Sequence, residues 1–160
     1  MESKSVFVHI GVTVTDIDVF ADFYCKHFGF ELLRRGVFSE EFIADTPELF
    51  DLKAGAYSDF AFLSSPNGVS LELFQFNELI DAEKPVWNRP GYHHICLRVE
   101  SVPETYRELC KAGVEFYFEP KPMMRNKDAY WAFLKDPDGN MVELQDLKPT
   151  VAVDGGNKTG

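Results

Sequence analysis

The 160-residue chain predicts an α+β fold of two tandem βαβββ modules, and two internal repeats lead to that prediction. "FAFLSSPNGVSLEL" (60–73) aligns with "WAFLKDPDGNMVEL" (131–144), with seven of 14 positions identical, Phe62/Phe133, Gly68/Gly139 and Glu72/Glu143 among them. Each stretch reads as two strands joined at a Pro-Asn-Gly or Pro-Asp-Gly turn. Further upstream, "HIGVTVTDIDVFADFYCKHFGFEL" (9–32) aligns with "HICLRVESVPETYRELCKAGVEF" (94–116), pairing His9 with His94 and Cys25-Lys26 with Cys110-Lys111.

Each upstream stretch begins with strand-like alternation, passes into helical spacing and stops at a glycine, Gly29 or Gly113, suited to a helix end. In the second copy Ser101 is placed to cap the helix, and Pro103 falls in the first turn, where proline is tolerated. The two histidines are 85 residues apart and the two glutamates 71, so the first copy carries 14 extra residues, assigned to 34–58. A single domain over 1–147 is expected, with module 1 at 5–76, a linker at 77–90 and module 2 at 91–147. The remainder, 148–160, is rich in turn formers with little to bury and is expected to be a disordered tail.

Composition narrows the function classes. Hydrophobic residues make up 45% of the chain, 15 Phe included, enough for a packed interior. A net charge of −10 argues against nucleic acid or an anionic membrane as partner, because both require a positive surface. No apolar run approaches the ~18 residues that a membrane span needs. The N-terminal stretch lacks the pattern of a secretory signal, and three cysteines without metal-type spacing fit a reducing compartment, so a cytoplasmic location is expected.

Strand parity selects the chemistry. Side chains alternate faces along a strand. Ile10, Val12 and Val14 take the face that the helix covers, leaving His9 opposite. By the same count His94 and Cys96 stand opposite Ile95 and Leu97, Glu72 opposite Leu71 and Leu73, and Glu143 opposite Val142 and Leu144. One His and one Glu per copy therefore lie on the uncovered face. His93 has the wrong parity and is expected to cap or pack at the strand entrance. Two imidazoles and two carboxylates suit a borderline divalent ion such as zinc, nickel, cobalt, iron(II) or manganese, so His9, Glu72, His94 and Glu143 are the candidate metal ligands.

These residues, in "HIGVTVTDIDVFADFYCKHFGFEL", "GVSLELF", "HHICLRV" and "DPDGNMVEL", resemble the vicinal oxygen chelate superfamily, which includes glyoxalase I and methylmalonyl-CoA epimerase. The resemblance spans roughly residues 5 to 147. It implies paired modules forming a cupped, barrel-like mixed sheet around a divalent metal, with ligand positions falling on His9, Glu72, His94 and Glu143. Details depart from each named enzyme. Glyoxalase I enzymes usually have Arg four residues after the first ligand and Asn four after the first Glu; here these are Thr13 and Phe76. Methylmalonyl-CoA epimerases usually have Gln where Glu72 stands.

The resemblance implies a metal-dependent isomerase, epimerase or lyase that passes a small carbonyl substrate through an enolate. Glu143 or Glu72 is the expected catalytic base, with Glu40 or Glu41 as the alternative. Cys96, Arg98, Phe74, Met123, Arg125 and Trp131 are candidate substrate-binding residues, with Lys121 and Lys127 adding charge to the Arg125 loop and Met124 and Phe76 adding apolar surface. Cys25 and Cys110 read as packing residues. A homodimer is expected, because closing such a sheet leaves edges that benefit from a partner. Two other readings stay open: an iron(II) extradiol-type dioxygenase, and a metal-free drug-binding protein of the same fold.

Overall fold

The computed structural model describes residues 5–81, 86–124 and 126–147, so the expected tail at 148–160 and Arg125 lie outside the described residues. These residues fall into two compact units, one within Met1–Pro85 together with Asp136–Asp138, the other within Val86–Lys135 together with Gly139–Gly160. The change of unit between Pro85 and Val86 lies inside the stretch expected to be a linker. No helix among the described residues is long and apolar enough to cross a membrane.

The first unit runs β1 (His9–Thr13), α1 (Ile17–Phe28), β2 (Glu31–Phe38), α2 (Glu40–Ala44), α3 (Pro47–Phe50), β3 (Ser58–Ser64) and β4 (Ser70–Phe76). Its sheet has the order β1-β4-β3-β2, with β1 parallel to β4 and the other pairs antiparallel. α1 starts where the Asp16 carboxylate accepts the N–H groups of Asp18 and Val19. It ends at Gly29, whose φ of 66° belongs to the left-handed region that glycine enters freely. Ile17, Phe20, Ala21 and Tyr24, the spacing of one helical face, are buried on the sheet side. Ala61, Leu63, Leu71 and Leu73 are buried with them. Removing a Leu side chain of this kind from water stabilises the fold by about 1.5–3 kcal/mol.

The second unit repeats the plan with β5 (His94–Arg98), α4 (Val102–Lys111), β6 (Lys121–Pro122), β7 (Tyr130–Lys135) and β8 (Met141–Gln145), in sheet order β5-β8-β7-β6. Ser101 caps α4 by accepting from Glu104 N, and Pro103 sits in the first turn. Val102, Leu109, Ala132, Leu134, Val142 and Leu144 are buried.

The tandem βαβββ plan expected from the sequence is present, and the structure refines it in three places. The eight strands form two separate open four-stranded sheets, not one barrel-like sheet; among the described residues no strand pairing joins them. Each copy completes its own sheet and covers one face with its own helix. The extra chain of the first copy contains two short helices, α2 and α3, that alternating patterns do not reveal. In the second copy the matching edge strand shrinks to Lys121–Pro122, and its proline has no N–H to extend a ladder.

One irregularity in β2 re-aims a side chain. Leu32 pairs with Leu63, but the next pair is Arg34 with Phe62, so Leu33 is an extra residue in a β-bulge. Beyond it, Arg35 falls on the side of α1, where it pairs with Asp18, and Arg34 falls on the opposite face.

Candidate functional site

The parallel pairing of β1 with β4 sets Gly11 beside Glu72, and His9 one pleat earlier on the same face. His9 Nε2 then comes within 3.2 Å of Glu72 Oε2. The second unit repeats the arrangement. Cys96 lies beside Glu143, and His94 Nε2 stands 3.2 Å from Glu143 Oε2. Both carboxylates are largely shielded, Glu72 with 15% and Glu143 with 20% of its side chain exposed.

The aromatic support is also duplicated. Phe62 on β3 pairs with Glu72, and Phe133 on β7 pairs with Glu143. The His9 ring meets Phe62 edge-on at 5.8 Å between centroids, and the His94 ring meets Phe133 at 5.1 Å. A phenylalanine two strands away, beyond the glutamate's strand, thus restrains each imidazole in the same way. The sequence carried a signal for these two residues in their identity across the repeat, but strand parity alone assigned them no role.

The donor chemistry in each unit fits a divalent ion. Ligand atoms at about 2.0–2.2 Å from such an ion and at right angles on it lie about 3 Å apart, close to the His–Glu separation found in both pairs. Each pair supplies one imidazole nitrogen and one carboxylate. Among the described residues no group of three or more His, Cys, Asp or Glu side chains comes together as a metal site; each unit presents one His–Glu pair.

His93 does not lie in β5. Its Nδ1 is 2.7 Å from His94 Nδ1, its ring stacks on that of His94, and Trp87 packs at a tilt against both. With Nε2 of His94 turned to the carboxylate, its Nδ1 is held by this neighbour.

The other expected residues divide. Phe74, Cys96, Arg98 and Trp131 share the uncovered strand faces: Phe74 beside Thr13 and Phe60, Cys96 beside Glu143, and Arg98 and Trp131 each beside Gln145. Burial and the Glu143 carboxylate push the Cys96 thiol up to about 12, so it is a neutral thiol at pH 7. Met123 sits in the loop after β6, off these strand rows, with its N–H donating to Ala129 O. Met124 is exposed. Glu40 and Glu41 occupy the exposed first turn of α2, where negative charge favours the helix start. Cys110 is exposed and Cys25 half-buried, which corrects the packing role expected of Cys110, a position outside the buried side of α4.

The glyoxalase/bleomycin resistance protein/dioxygenase superfamily model matches residues 6–144. The chain is 29% identical over 142 residues to a probable lactoylglutathione lyase of Vibrio cholerae serotype O1, covering 89% of this chain and 91% of that one. Among solved structures, a glyoxalase family protein from Bacillus cereus superposes with a TM-score of 0.74 at 19% identity, over 91% of this chain and 97% of that one. The trypanothione-dependent glyoxalase I of Leishmania major superposes with a TM-score of 0.61 at 25% identity, over 89% and 87%.

Proposed function

The chain belongs to the glyoxalase/bleomycin resistance protein/dioxygenase superfamily, and from that membership we propose that it is a divalent-metal-dependent isomerase or lyase that moves a proton on a small carbonyl substrate through an enolate. The carrying observation is the recurrence of one His–Glu pair, at the same 3.2 Å and against the same kind of aromatic ring, in both modules. A purely structural ion pair has no reason to repeat on the face that neither helix covers. His9 and Glu72 with His94 and Glu143 would hold one ion, the two pairs contributed by one chain or by two copies.

When bound, a divalent ion supplies Lewis acidity that stabilises negative charge on a carbonyl oxygen as the neighbouring C–H is deprotonated. The side chains do the rest. A Glu143 or Glu72 carboxylate oxygen takes the α-proton and returns it to the same or the adjacent carbon, so the substrate is isomerised or epimerised with no net change in composition. His9 and His94 would supply imidazole nitrogens, their rings held by Phe62 and Phe133. Apolar rings on the Glu72 face, Phe62 and Phe74 among them, limit water near the enolate and strengthen its electrostatic stabilisation.

The test is exchange of a substrate α-proton with solvent deuterium, followed by NMR on the metal-loaded protein with methylglyoxal–thiol adducts, 2-hydroxy ketones and acyl thioesters. Metal-dependent exchange with one of these classes is expected. No exchange with any of them, combined with iron-dependent oxygen uptake, would replace the enolate reading with the dioxygenase one.

A further inference from the structure

The face that carries His9 and Glu72 also carries a cation without a carboxylate. Across the sheet, Gly11, Glu72, Phe62 and Arg34 form one continuous row, each paired with the next. Arg34 reaches this row because of the Leu33 bulge; in regular pairing after Leu32–Leu63 it would point to the α1 side. Bulges of this kind re-aim a side chain. Adjacent strands lie about 4.8 Å apart, so the Arg34 backbone is about 10 Å from that of Glu72, two strands away.

The guanidinium lies over the Phe62 ring at 4.3 Å from its centroid and within 5.7 Å of the Phe60 centroid. Phe62 in turn touches His9, so cation, ring and candidate ligand form one chain of contacts. Arg35, one residue on, has a carboxylate partner in Asp18. No carboxylate among the described residues pairs with Arg34, in a chain whose net charge is −10. An arginine held over aromatic rings keeps its N–H fork for a planar anion, and a carboxylate is the anion that such a fork fits with two parallel hydrogen bonds. The second module has no arginine on its edge strand, which is only Lys121–Pro122; there Lys121, beside Trp131, lies over the Phe118 ring at 4.7 Å from its centroid.

We propose that Arg34 binds a carboxylate of the substrate, which assigns the substrate to anionic carbonyl compounds. Their reacting oxygens lie at the His9–Glu72 end, an apolar body rests on Phe60, Phe62 and Phe74, and the carboxylate lies at the β2 edge. This rests on the function proposed above and adds the substrate class to it. Arg34 takes no part in the proton transfer; it determines specificity.

The experiment compares benzohydroxamate with 4-carboxybenzohydroxamate by calorimetric titration. Both present two adjacent oxygens and a ring, and they differ in the distal carboxylate. Wild type, Arg34→Gln and Arg34→Lys are each titrated with and without cobalt(II), and cobalt uptake is measured on the same samples. Wild type is expected to prefer the carboxylated probe about tenfold, Arg34→Gln to lose the preference, and Arg34→Lys to retain part of it. An unchanged preference in Arg34→Gln, no preference in wild type, or binding of neither probe overturns the proposal. Absence of cobalt uptake defeats the metal-dependent function instead, and the ratio of affinities without metal still decides the role of Arg34.

Discussion

His93 Nδ1 and His94 Nδ1 stand 2.7 Å apart, so one ring donates to the other at the entrance to β5 while His94 turns Nε2 towards Glu143. The two adjacent histidines therefore have different tasks. His94→Ala is expected to abolish tight divalent-metal binding. His93→Ala is expected to weaken it by about 10- to 100-fold, the usual cost of losing an outer-shell partner. Competition titration with a chromogenic chelator reads both. Equal loss in the two variants would contradict the assignment of His94 as the ligand.

Gly36 is fixed by close approach. A Cβ at this position would stand 2.5 Å from Phe60 Cε1, and Phe60 also packs on Phe38 and borders the Arg34 guanidinium. Gly36→Ala must displace the ring, at a cost of about 1–3 kcal/mol for an overpacked site. A lower urea midpoint with an unchanged slope is expected; an unchanged midpoint would mean that the ring moves freely.

The carboxylates have separable roles in proton transfer. Glu143→Gln keeps an oxygen donor and removes a base, so most solvent-deuterium exchange is expected to be lost while part of the metal affinity remains. Glu72→Gln is expected to do the same if Glu72 is the base, and to be tolerated if the site works in the epimerase-like way. Unchanged exchange in both variants, with metal bound, would move the base to Glu40 or Glu41.

In sheet order β1 and β5 each occupy an edge, with one strand neighbour among the described residues. Such edges favour burial against a second copy. Sedimentation equilibrium at micromolar protein is expected to give a homodimer, and a monomer at that concentration would contradict this.

The sequence disclosed the two His–Glu pairs better than the extent of the sheets. Strand alternation placed His9, Glu72, His94 and Glu143 on uncovered faces, and the repeat made the two pairs equivalent, because parity is a local property written residue by residue. The bulge at Leu33 was invisible. "ELLRRGVF" offers two successive arginines, and either can face outward until the register with β3 is known. The helices α2 and α3 were missed for a related reason: five- and four-residue helices are too short for a 3.6-residue period to emerge. The tandem βαβββ plan was legible, but that its two sheets stay open was not, because strand patterns specify neighbours only within a module.

The two His–Glu pairs are expected to hold a divalent ion, and the metal content of purified and reconstituted protein tests this most directly. Elemental analysis after loading with zinc, nickel, cobalt, manganese or iron(II) is expected to find one ion per set of His9, Glu72, His94 and Glu143. His9→Ala, Glu72→Ala, His94→Ala and Glu143→Ala, each with wild-type circular dichroism, are expected to lose it. No stoichiometric ion in wild type under any loading, or undiminished uptake in all four variants, would contradict the account.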